Sequence, residues 1–213
     1  MKLLCLANSY KEGGKCLAGI QLDAQNRPLL WYDRPRWIRP ICETTFGQVP
    51  NYLCAEAMIL DIIEIDNAEV SETGYQPENT TFDKDSIRIV GKLERDILDE
   101  ICDNKIITKI FGNTGNAITK EAIDEVGYSL MFLKINRFQI REKNREHHKR
   151  PQLRFNFMYR GQWYNFPITD PDFLLKYALN NKLLDGISSV HVVLSISVPF
   201  NDAYYKLVGT IIY

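Results

Sequence analysis

"LRFNFMYRGQWYNFPI", residues 153–168, decides the fold class. Leu153, Phe155, Phe157 and Tyr159 alternate with Arg154, Asn156, Met158 and Arg160. Successive side chains of a β-strand point to opposite faces, so the first set shares one face and the second set the other. The Arg-Gly-Gln turn leads into "WYNFPI". The stretch therefore reads as a hairpin with one apolar face and one face bearing arginines.

The same pattern extends outward. In "VHVVLSISV" (190–198) Val190, Val192, Leu194, Ile196 and Val198 point one way. Between them, "TDPDFLLKYALNN" (169–181) begins a helix, with Thr169 or Asp170 as N-cap and Pro171 in the first turn. Phe173, Leu174, Tyr177 and Ala178 form its buried face. In the N-terminal half, "KLLCLANS" and "CLAGIQL" are apolar runs joined by "YKEGGK", and "RPLLWYD" follows a turn at Asn26. "AMILDIIEI" (57–65) is apolar on both faces and suits a central strand. Residues 67–92 contain "SETGYQPENTTFD" and read as loop. Leu93, Ile97, Leu98 and Ile101 share a helical face, and residues 118–126 read as a shorter helix. Strands resume at "YSLMFLKINRFQI" (128–140).

This organisation predicts a mainly β chain with a few helices, built as two OB-fold-like Greek-key barrels. The expected boundaries are 1–92 for the first barrel, 93–127 for a helical connector and 128–213 for the second. "KCLAGI" (15–20) echoes "KLVGTI" (206–211). If these are equivalent strands, Gly19 and Gly209 mark bends or close approaches, Lys15 faces ligand and Lys206 is structural.

Composition narrows the class. The 213 residues are 45% hydrophobic and 25% charged, as in ordinary globular proteins. Five scattered cysteines without CxxC spacing read as reduced thiols, which places the protein in the cytoplasm. The longest apolar run is too short to span a membrane, and "MKLLCLANSYKEGG" reads as a strand, not a secretory leader. No metal, cofactor or catalytic residue is expected. His147 and His148 are adjacent and lack ligand partners at metal spacing, and no phosphate-loop or nucleophile-elbow motif occurs.

The net charge of −1 hides an asymmetry. Residues 1–41 carry seven basic and three acidic residues, residues 56–103 four and fourteen, and residues 134–160 nine and two. Basic flanks around an acidic middle point to an anionic partner. "NSYKEGGK" (8–15) offers Asn8, Ser9, Lys11 and Lys15 around a Gly-Gly turn whose amides could hold a phosphate. "RPRWIRP" (34–40) offers Arg34, Arg36 and Arg39 about Trp37, the composition of a stacking platform with phosphate contacts. "RFQIREKNREHHKRPQLR" (137–154) offers Arg137, Arg141, Lys143, Arg145, Lys149, Arg150 and Arg154 across two strands and a loop. "QPEN" (76–79) reads as a polar turn locking the first barrel.

Five stretches in order carry a resemblance. "CLANSYKEGGKCLAGI" (5–20), "WIRPI" (37–41), "YQPEN" (75–79), "YRGQWYNFPITDPDF" (159–173) and "YYKLVGTII" (204–212) resemble the prokaryotic dual OB-containing domain family over nearly the whole chain. "SISVPFNDA" (195–203) departs from it, lacking a Gly-Glu where "VPF" stands. The resemblance implies two OB-folds and nucleic-acid binding, in defence against foreign genetic elements, with no catalytic activity. RNA or single-stranded DNA suits such surfaces better than duplex, because its bases can splay. Two other readings stay open. One is a protein-interaction module of a defence complex, docking a basic partner on the acidic 56–103 segment. The other is a nucleotide or small-ligand sensor.

Overall fold

The first two strands of the chain show what holds it. In a computed structural model that describes residues 1–213 except 12, 72–73 and 145–150, β1 (Lys2–Lys11) and β2 (Gly14–Leu22) form an antiparallel hairpin. Cys5 faces Gly19 and Ala7 faces Ala18, so Leu6 is an extra residue on β1 and makes a bulge. Gly19 sits at that bulge. A Cβ built there would lie 1.9 Å from the Leu4 carbonyl oxygen, so only glycine allows the strands to come this close.

The chain divides into two compact units, Met1–Ile106 and Ile107–Tyr213. Unit 1 continues through β3 (Leu30–Trp31), β4 (Arg34–Pro35), β5 (Trp37–Pro40), α1 (Asn51–Cys54), β6 (Asp61–Glu64), β7 (Glu69–Val70), β8 (Asn79–Thr81), β9 (Arg88–Lys92) and α2 (Ile97–Glu100). Its main sheet runs β7-β8-β5-β2-β1-β6-β9, with β3 and β4 forming a separate hairpin. All pairs are antiparallel except β5 with β8. Leu3, Cys5, Leu17, Ile38, Val49, Ile63 and Ile65 pack into a buried apolar core.

Unit 2 contains β10 (Ala117–Thr119), β11 (Leu130–Ile135), β12 (Phe138–Lys143), β13 (Gln152–Tyr159), β14 (Gln162–Pro167), α3 (Pro171–Leu179), β15 (Val190–Phe200) and β16 (Ala203–Ile212). One sheet runs β10-β16-β15-β11 and another β12-β13-β14. A bridge between Ile168 and Val208 links them. The alternation of residues 153–159 is realised: Phe155, Phe157 and Tyr159 are buried, and the rings of Phe155 and Phe157 join Tyr164 and Phe166. Arg160 and Gly161, both with positive φ, make the two-residue turn to β14. Asp170 caps α3 by accepting from the Phe173 amide at 3.0 Å, and its second oxygen accepts from the Ile211 amide at 3.0 Å, which ties the helix to β16.

Some expectations change. Residues 117–119, expected within or beside a helix over 118–126, are strand β10 pairing with β16. Ile118 is buried in that pairing, and tertiary packing outweighs the helical spacing of Ile118, Ala122 and Ile123. The 93–127 segment is divided between the units at residue 106, and its α2 is a single turn. The loop read over 67–92 holds three short strands, β7 to β9. The echo does not mark equivalent strands. β2 is the second strand of unit 1 and lies between β1 and β5; β16 is the last of unit 2 and lies between β10 and β15. Both glycines nonetheless sit at bulges, Gly209 as the unpaired residue of β16 between Val208 and Thr210.

Replacing Gly19 with alanine is expected to lower unfolding stability by about 1–3 kcal/mol, the usual cost of forced overpacking. Urea denaturation monitored by circular dichroism measures it, and an unchanged midpoint would contradict the close approach.

Candidate nucleic-acid interface

Several basic residues of unit 1 are paired with carboxylates of the same unit. Arg39, on β5, is buried and its Nη2 lies 3.1 Å from Glu78 Oε1, with both side chains at most 5% exposed. The Arg39 amide also donates to the Glu78 carbonyl at 2.8 Å. Arg34 Nε donates to Asp103 Oδ1 at 3.0 Å, and that carboxylate is fully buried. Arg27 pairs with Asp23, and Arg88 with Glu64 and Asp66. Glu78 and Asp103 both belong to the acidic 56–103 segment, so part of that segment serves the protein's own arginines.

The remaining N-terminal candidates are mostly interior too. Asn8 Nδ2 donates to the carbonyls of Cys54 (3.2 Å) and Ala57 (2.9 Å), fixing α1 against β1. Ser9 is buried. Trp37 is 8% exposed, faces Ile20 across β2, and offers no stacking surface. Lys15 is half-buried and its backbone pairs both ways with Val49. Gly14 is buried against the Val49 carbonyl, so its amide is not open to a phosphate. Lys11 is half-buried, and burial pulls its pKa below the usual lysine value.

What unit 1 does present is the β3–β4 hairpin. Leu30, Trp31 and Tyr32 are exposed there, Tyr32 to 89%. Tyr32 and Asp33 both adopt positive φ to make the two-residue turn. A tyrosine in that conformation is uncommon. The Arg36 guanidinium lies 4.7 Å from the centre of the Trp31 ring, a cation–π contact.

Unit 2 is different. It carries fourteen basic and nine acidic residues, net +5, against twelve and eighteen, net −6, in unit 1. The outward face of β12-β13-β14 collects Gln139 and Arg141, then Arg154, Asn156 and Met158, then Trp163 and Asn165, in register across the three strands. Arg154 is buried by neighbours on this face. Its Nε donates to Asn165 Oδ1 at 2.8 Å, Nη1 to Gln152 Oε1 at 2.9 Å, and Nη2 to the Asn165 carbonyl. Gln139 Oε1 accepts from Arg141 Nη2 and Asn156 Nδ2, each at 2.8 Å. Arg137 Nη1 reaches Met158 Sδ at 3.7 Å, beside Trp163. Among the described residues, neither Arg137 nor Arg141 is paired with a carboxylate. Their charge faces solvent above a rigid amide network. Arg145, Lys149 and Arg150 lie outside the described residues.

Of the residues singled out from sequence, Arg141 and Arg154 thus come together on one face, whereas Ser9, Trp37 and Arg39 are buried in unit 1 and Asn8 is half-buried there. Arg137 belongs to the basic run already read over 137–154, whereas Trp31, Tyr32, Gln139 and Trp163 were missed. Their signal was an aromatic next to a turn, "LLWYD" and "RGQWY", where chain reversal leaves side chains exposed.

Two further features are structural. Lys206 is fully buried, and its Nζ donates to the Ile110 carbonyl (2.8 Å), the Asn113 carbonyl (2.7 Å) and Asn113 Oδ1 (2.8 Å). Burial, with Lys109 nearby, pulls its pKa down to about 7. Burial pushes the Cys5 thiol up to about 12, which keeps it protonated and unreactive at neutral pH. Among the described residues no three His, Cys, Asp or Glu side chains gather as a metal site, and no helix is long and apolar enough to cross a membrane.

The family model of the dual OB-containing domain matches residues 1–211. This chain belongs to that family. No curated protein matches it.

Two measurements check the assignment of the buried charges. Arg39→Ala strands Glu78 in the interior and is expected to destabilise by about 3–5 kcal/mol, whereas Arg39→Leu with Glu78→Leu together should cost far less; urea titration distinguishes them. For Lys206, the unfolded chain binds its proton up to about pH 10.4 while the folded chain releases it near 7. Between those values the unfolded state holds more protons, so stability rises with pH. Wild type should gain stability from pH 7 to 10 relative to Lys206→Met, and parallel pH profiles would contradict the assignment.

Proposed function

We propose that this protein binds RNA or single-stranded DNA through the outward face of β12-β13-β14, and has no chemistry of its own. The observation that carries the reading is the pair of solvent-facing arginines, Arg137 and Arg141, with no carboxylate paired to them among the described residues. Arg137 lies beside the exposed Trp163, and Arg141 lies further along the same face of the net-positive unit. Arginines contact phosphates, and the indole offers a π-face to a base. Splayed bases are needed to reach that ring, which favours single strands over duplex. The exposed Trp31 and Tyr32 of unit 1 are a second aromatic surface suited to bases. A cytoplasmic role in prokaryotic defence against foreign genetic elements accords with the family, and we adopt it as part of the proposal.

The test is fluorescence anisotropy with a labelled 12-nucleotide single strand over a range of salt concentrations. Replacing Arg137 and Arg141 together with alanine removes two phosphate contacts. The slope of log affinity against log salt should become shallower by about 1.4, since each phosphate contact on a single strand contributes roughly 0.7. The fold should survive, because both side chains are exposed. An unchanged slope in a folded variant would remove this face from the site.

A further inference from the structure

Beside the arginines the surface of unit 2 sinks into a groove of about 570 Å³. It is lined by Asn136, Arg137, Phe138, Gln139, Trp163, Leu184 and Ile187. The groove brings together three chemistries. Trp163 is 46% exposed and supplies an aromatic wall. Leu184 and Ile187, from the segment between α3 and β15, supply an apolar wall, and Ile187 is 37% exposed. Arg137 supplies the positive charge, and Asn136 and Gln139 supply side-chain amides.

These parts are held in place. Trp163 sits directly across from Met158 on the neighbouring strand, and Arg137 is braced against the Met158 sulfur at 3.7 Å. The Arg137 carbonyl accepts from the Met158 amide at 2.9 Å, which fixes the backbone at the groove's edge. Phe138 turns its ring inward and stacks on Phe155 with centroids 5.6 Å apart, so the floor is anchored in the core. With its oxygen engaged by Arg141 and Asn156, Gln139 has its NH₂ group left to offer the groove.

A groove with one aromatic and one apolar wall takes a flat, polarisable group. Amides at its rim suit a ring with hydrogen-bonding edges, and a guanidinium beside it suits an attached phosphate. A nucleotide within a single strand has all three. We infer that this groove is a base pocket, in which one unpaired nucleobase stacks on Trp163 against Leu184 and Ile187. Its phosphate sits on Arg137, and its edge meets Asn136 and Gln139. The inference rests on the nucleic-acid reading above and adds to it: the protein grips a base as well as a backbone. A purely electrostatic surface would need neither the tryptophan nor the groove.

The experiment separates base from backbone. Wild type and Trp163→Ala are titrated with a labelled 12-nucleotide single-stranded DNA and with an abasic strand of the same length and charge. Stacking of a base on an aromatic side chain makes Trp163→Ala bind the intact strand roughly 5- to 100-fold more weakly. The abasic strand should bind wild type more weakly by a similar factor, and Trp163→Ala should cause no further loss on it. Trp163→Phe should retain most of the affinity. Binding should quench tryptophan fluorescence in Trp31→Phe but much less in Trp163→Phe. If Trp163→Ala binds the intact strand as wild type does, or weakens both strands equally, the pocket is overturned while salt-dependent binding by wild type leaves the broader reading standing. If wild type binds neither strand, the broader reading fails and the pocket fails with it.

Discussion

Taking a guanidinium out of water costs several kcal/mol, and the cost is recovered only against a carboxylate with good geometry. In unit 1 this condition organises the sheet. Arg39 on β5 meets Glu78, two buried groups 3.1 Å apart, and the backbone bond between the same residues starts the parallel pairing of β5 with β8. Arg34 and the fully buried Asp103 repeat the arrangement at the foot of the β3–β4 hairpin. The basic N-terminal segment and the acidic middle segment therefore neutralise each other in part within one unit. In unit 2 Lys206 is buried among oxygens of Ile110 and Asn113, and Arg154 among those of Asn165 and Gln152. Among the described residues, Arg137 and Arg141 on the β12-β13-β14 face are exposed and not paired with a carboxylate.

Seen this way, the stretches that carry the family resemblance describe the fold more than its contact surface. "WIRPI" and "YQPEN" meet as the Arg39–Glu78 pair. "KCLAGI" supplies the glycine that lets β2 approach β1. "TDPDF" supplies the cap of α3, and "YYKLV" the buried lysine. The candidate interface draws on β12, which lies between these stretches, and on Trp163, which follows the Arg160-Gly161 turn inside "YRGQWYNFPITDPDF".

Local rules made much of the fold legible. Alternation over residues 153–159 gave the correct faces because β13 is regular through that span. The Asp-Pro start of α3 was legible because an N-cap is a local interaction. Failures came where the deciding contact is distant or where phase shifts. Nothing near Arg39 in sequence announces Glu78, so it read as a surface cation. Trp37 read as a platform and Trp31 went unnoticed. Which of them faces water depends on strand pairing: Trp37 enters the main sheet opposite Ile20, and Trp31 is carried outward on the hairpin. Bulges at Leu6 and Gly209 shift phase within a strand, which a period of two does not foresee. Ile118 was misread because a short edge strand and one turn of helix have the same few apolar residues.

The central claim is that the exposed, unneutralised face of unit 2, and not the basic N-terminal segment, meets nucleic acid. Photocrosslinking with a single strand containing 4-thiouridine, followed by mass-spectrometric mapping of the adducts on the full chain, tests it most directly. The account predicts that adducts concentrate on peptides spanning residues 136–143 and 156–165, with Trp163 prominent. Adducts concentrated on residues 8–20 or 34–40, with unit 2 unlabelled, would contradict it.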